Sequence, residues 1–156
     1  MHDRNAPRHH GHPAAGRDHL GRPLGAGLAG TGLAADEVYL MAHHDLTGRP
    51  VLQPRPLGLG LADALLAELM LGGGIGLRYD GAVLAGRTWP ADDLGRRVRD
   101  QIAIEPEPRP LTDWLAYLAR TAAPDVAARL ERAGYLTRTR GWVPWRPGRL
   151  VPADPD

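Results

Sequence analysis

The chain has 156 residues and a formal net charge of +1, and all nineteen of its basic residues are arginine. Its length fits one folded domain with a tail. The absence of cysteine excludes disulfides, thiolate metal sites and a cysteine nucleophile, and the near-neutral charge lacks the basic excess of a nucleic-acid-binding module. Lysine, serine and phenylalanine are also absent, while glycine reaches 20 and proline 15. This reads as an Arg/Ala/Gly/Pro compositional bias, so a single arginine carries less functional weight than usual.

Residues 1–32 hold five of the seven histidines, many glycines and prolines, and almost no large apolar side chain before Leu20. They cannot offset the entropy of ordering and are expected to form a disordered tail. His9, His10 and His12 could catch a transition metal adventitiously, but no carboxylate or thiolate framework accompanies them. The stretch Leu24–Ala35 is apolar, but four glycines break it, and a secretory signal is not expected there. No run of eighteen apolar residues exists, so no membrane span is expected.

The folded part is expected to start near Asp36, an N-cap for a short helix through Ala42 that stops at the turn Asp45-Leu46-Thr47-Gly48. Leu61, Leu65 and Leu69, widened by Leu66 and Met70, predict a core helix over Gly60–Leu71 that ends at Gly72-Gly73-Gly74. Ile75–Tyr79 and Ala82–Leu84 then flank Asp80-Gly81, the signal of a two-residue hairpin loop. Leu94, Val98 and Ile102 predict a helix over Asp92–Ile102, followed by the non-helical connector Glu105–Pro110. Thr112 is read as the cap of a helix to Arg120, and Pro124 as a first-turn residue of a helix ending at Gly134. A last hairpin would pair Tyr135–Arg138 with Trp142–Trp145 around Arg140-Gly141.

The fold class that results is mainly α, a helical domain with one or two small β-hairpins in helix-helix-hairpin order, locally winged-helix-like. Gly72–Gly76 is not a phosphate loop, because it follows a helix and precedes a strand. His43 and His44 fit C-terminal capping of the first helix better than a catalytic pair. Arg96, Arg97 and Arg99 are interleaved with Asp92, Asp93 and Asp100, the mark of a solvated helix face. Trp142 and Trp145 suit either a membrane interface or the half-buried edge of the last hairpin, with packing favoured.

The order of motifs resembles the Golgi phosphoprotein 3-like family, which has eukaryotic Golgi members and many bacterial ones. The resemblance is to the bacterial, especially actinobacterial, type. It rests on Glu37–Met41 with Asp45 and Gly48, on Gly60–Leu69 followed by glycine and Ile75, on Leu111 with Trp114, and on Arg129-Leu130 with Gly134–Leu136. Family chains continue for further helices, so residues 33–156 are expected to form a family domain that is short at its C-terminus.

The resemblance implies a non-catalytic protein without a cofactor or metal, cytoplasmic or peripheral at the inner face of a membrane. It also implies an adaptor whose lipid pocket holds phosphatidylinositol 4-phosphate with one tryptophan and several arginines, beside a hairpin with apolar tip residues. Counting along the motifs places Gln53, Ala62, Arg120 and Ala123 at the pocket positions. Only Arg120 keeps its type, so the pocket is largely not retained. Arg49 and Arg55, in the proline-punctuated loop before the core helix, could join Arg120 in a reduced anion site; ordinary surface arginines are the plainer alternative. The expected partners are an anionic lipid surface, a protein, or a second copy of the chain. The rival reading is a winged-helix-like regulator of nucleic acid or protein. Its DNA-binding form is disfavoured because Gly60–Leu71 offers only Asp63 and Glu68 as charged groups.

Overall fold

A computed structural model describes residues 31–139 and 149–153 of the chain. The expected tail, its histidine cluster and the Trp142–Trp145 strand therefore lie outside the described residues.

Helix α1 spans Ala34–Met41, with Leu33 at its N-cap. Asp36 is thus inside the first turn rather than capping it, and it is buried. Its place as cap is lost because it pairs with a buried arginine described below. His43 does act at the C-terminal end: its Nδ1 lies 2.7 Å from the Tyr39 carbonyl, and its ring stacks on Tyr39 at 3.9 Å.

Helix α2 runs over Pro54–Leu71, six residues longer at its start than the leucine periodicity predicts. Pro54 suits the first helical position, where its fixed φ helps and its missing N–H is not needed. Leu57, Leu61, Leu65, Leu66 and Leu69 are buried and make α2 the centre of the core. Gly73, at φ 71°, carries the chain out of the helix.

Strands β1 (Ile75–Leu77) and β2 (Val83–Ala85) pair antiparallel, Ile75 opposite Ala85. The hairpin loop holds three residues, not two. The Arg78 amide donates to the Ala82 carbonyl at 2.9 Å, the Gly81 amide turns back to the Arg78 carbonyl at 2.9 Å, and Gly81 has φ 80°. That is a tight turn closed by a left-handed residue, the usual three-residue hairpin.

Helix α3 covers Asp93–Ile104, and Asp92 caps it by accepting from the Gly95 amide at 3.0 Å. The connector after it is non-helical, and Pro110 forms a bridge with Ala82. Helix α4 spans Leu111–Leu118 with Pro110 as N-cap, so Thr112 lies within the helix and does not cap it. Helix α5 spans Ala122–Arg132 and is terminated at Gly134, φ 82°.

Strand β3 (Leu136–Arg138) pairs antiparallel with β4 (Leu150–Pro152), a partner the sequence reading did not name. Leu136 is buried and Leu150 packs against the core. The mainly α fold with two small hairpins is therefore the observed one. Among the described residues, no helix is long and apolar enough to cross a membrane.

Candidate functional site

Three segments converge on a groove of about 680 Å³, a size within the usual range of ligand sites. The first is the loop entering α2, with Pro50 and Leu52; the second is the first turns of α2, with Pro54, Arg55, Leu57 and Leu59. The third is the end of α4 and the start of α5, which bring Ala116, Ala119, Arg120, Ala123 and Pro124.

Close approach of α2 to the end of α4 shapes the groove. A Cβ on Gly58 would lie 2.3 Å from the Ala119 carbonyl oxygen, so only glycine permits the contact. Arg120 occupies the turn between α4 and α5, where its amide donates to the Tyr117 carbonyl at 3.3 Å and the Thr121 amide to the Leu118 carbonyl at 3.0 Å.

The structure thus brings Arg55 and Arg120 onto one groove and leaves Arg49 off its lining. Arg49 is exposed, its carbonyl accepting from the His44 amide at 2.8 Å and its amide lying 3.4 Å from the Thr47 hydroxyl.

Electrostatics separate the two groove arginines from most others. Arg97 pairs with Asp125 at 3.4 Å, Arg132 with Asp93 at 3.1 Å and Arg138 with Glu131 at 3.0 Å. Arg96 pairs with Asp93. Arg99 donates to the Gly86 carbonyl at 2.7 Å and lies 3.9 Å over the Trp89 ring. The arginines of α3 are therefore compensated, but not as one solvated face: Arg97 reaches Asp125 of α5, and Arg99 is mostly covered against Trp89. Among the described residues, neither Arg55 nor Arg120 has a carboxylate within salt-bridge distance. The helix macrodipoles of α2 and α5 both begin at the groove and add positive potential, offset in part by the end of α4.

A second cavity, about 330 Å³, lies against Trp114 and Tyr117. Its arginine, Arg109, is already paired with Glu105 at 2.8 Å, which leaves no uncompensated cation there. Among the described residues, no group of three or more His, Asp or Glu side chains could hold a metal ion.

Residue reasoning missed the most buried charge cluster. Arg129 on α5 donates from Nε to Asp36 on α1 at 2.7 Å, and from Nη1 to Glu68 on α2 at 3.1 Å and to the α3 cap Asp92 at 3.3 Å. Glu68 also accepts from the Ala35 amide at 2.6 Å. Burial pushes the Asp92 carboxyl upward, but the Gly95 amide and the Arg129 charge outweigh it and hold it below the usual carboxylate value. Burial alone would lower Arg129, yet Glu68 and Asp36 raise it instead.

Residues 13–156 match the family model described as Golgi phosphoprotein 3 (GPP34). The chain belongs to the Golgi phosphoprotein 3 family. No curated protein matches it. Two of the residues that carried the family resemblance, Glu68 and Arg129, prove to be members of the buried charge cluster. Of the four positions counted onto the family pocket, Arg120 and Ala123 line the groove, and Gln53 caps α2 between the lining residues Leu52 and Pro54. Ala62 is buried within α2. Arg55 lines the groove from a position the count did not reach.

Proposed function

We propose that this Golgi phosphoprotein 3 family member is a non-catalytic, peripheral binder of anionic membrane surfaces, with Arg55 and Arg120 receiving an anionic headgroup. The carrying observation is that two guanidiniums lacking carboxylate partners among the described residues share one otherwise apolar groove. Guanidinium suits such a task because it stays charged and binds phosphate or carboxylate oxygens in pairs. Leu52 and Leu59, both substantially exposed, provide apolar contact beside it. The groove's described lining is arginine, leucine, proline and alanine, a composition that favours a binding role over a catalytic one. Family membership supports an adaptor acting from the cytoplasmic face of a membrane.

Liposome flotation with and without anionic lipid tests the reading. Binding is expected at low salt and should fade at high salt. Arg55→Ala and Arg120→Ala should each lower it about fivefold, on the scale of ~1 kcal/mol per cation at an anionic surface. Equal flotation with neutral and anionic vesicles would overturn the proposal. So would a salt-sensitive shift with random duplex DNA in the absence of lipid binding.

A further inference from the structure

We infer that the groove selects an anionic amphiphile with a compact headgroup and an apolar tail, rather than a polyol headgroup; this rests on the anion-binding reading above.

Among the described residues the lining holds two ionic donors and no other polar side chain. Its open backbone donors are the first-turn amides of α2 and α5, which suit an anion rather than a ring of neutral hydroxyls. Pro50, Pro54 and Pro124 have no N–H at all, and the Leu57 amide is already spent on the Gln53 carbonyl at 3.1 Å. A sugar or inositol ring carries several hydroxyls, each of which must exchange water for a protein partner when it is bound specifically. Against leucine, proline and alanine these hydroxyls lose water and gain nothing, a loss that a polar site would have repaired. An alkyl chain in the same place gains from leaving water at every methylene. Two guanidiniums on one groove, by contrast, suit a phosphate or carboxylate group.

An extended peptide fits less well than a lipid-like molecule. It brings an N–H and a C=O per residue, and none of the described lining residues, which lie in helices and in the loop before α2, belongs to one of the strands β1–β4 that could pair with it. Charge complementarity together with the apolar lining therefore selects an amphiphile.

Isothermal titration of the full chain tests this with decyl phosphate below its micelle concentration, soluble inositol bisphosphate and inorganic phosphate. Decyl phosphate is expected to bind at least tenfold tighter than either tail-less anion. Arg55→Ala and Arg120→Ala should each weaken it at least fivefold. Leu52→Asn, a neutral change at an exposed position, should weaken decyl phosphate more than it weakens inorganic phosphate. Inositol bisphosphate binding as tightly as decyl phosphate, with the same dependence on Arg55 and Arg120, would overturn the amphiphile inference and leave the anionic-membrane reading standing. Displacement of decyl phosphate by an acidic amphipathic helical peptide at lower concentration would assign the groove to a protein partner and also overturn it. Arginine-independent binding of all three anions, with unchanged flotation of both variants, would overturn both readings together.

Discussion

Arg129 sits among three carboxylates contributed by α1, α2 and the start of α3, and only 6% of it is exposed, so no water stands ready to replace it if it is removed. Arg129→Met should therefore cost roughly 3–5 kcal/mol in urea unfolding, the usual penalty for stranding buried partners of a broken ion pair. Neutralising the stranded groups as well, with Asp36→Asn and Glu68→Gln, should recover much of that loss, and failure to recover it would show that packing rather than charge dominates. Asp92 adds a pH dependence. Its carboxyl is held below the ordinary value, so the folded state binds its proton less readily than the unfolded chain. Its contribution is complete above the unfolded value of about pH 4 and is lost as pH falls through the lower folded value. Asp92→Asn keeps a competent cap and removes the charge. The variant should lose stability at neutral pH, with the gap from the parent closing in acid. None of this cluster was legible along the chain, because its partners are 37 to 93 residues apart and each has a plausible local role: a cap, a first-turn acid, a helix-face arginine. Arg120 could be singled out by counting along the family motifs and Arg55 by its place in the loop before the core helix, but only the fold decides that Arg49 stays outside their groove.

At the scale of elements, α2 decides both the core and the groove. Its hydrophobic period was legible because Leu61, Leu65 and Leu69 repeat on one face; its first six residues were not, because three glycines and prolines there read as a loop. Those residues become helical through contact with α4, which propensity alone does not report. Gly58→Ala separates the two effects. Alanine gains about 1 kcal/mol of helix propensity, but its Cβ would meet the Ala119 carbonyl, a backbone group that cannot swing aside. Overpacking of this kind typically costs 1–3 kcal/mol, so the variant should melt below the parent and bind anionic vesicles more weakly. A higher melting temperature would mean that α4 yields. The hairpins show the same division. Turn signals located β1 and β2, whereas β4 was not anticipated because Leu150–Pro152 is short, ends in proline and shows no alternation of its own.

Across the whole molecule, the first turn and the last strand meet. The turn glycine, Gly48 at φ 60°, lies so close to β4 that a Cβ there would fall 1.9 Å from the Leu150 carbonyl oxygen. Gly48→Ala should therefore loosen β4 and speed amide hydrogen exchange in β3 and β4 at least tenfold relative to α2; uniform exchange across both would contradict this. The Arg129 cluster ties the same distant regions from the inside, and this has a consequence for how the chain is made. At a synthesis rate of about 5–20 residues per second, α2 leaves the ribosome several seconds before α5. Throughout that interval Asp36 and Glu68 have no cation to bury against, and closing the core around them would strand two charges in apolar surroundings. Closure of α1 on α2 should therefore depend on α5, because only with Arg129 in place is the burial of Asp36 and Glu68 offset.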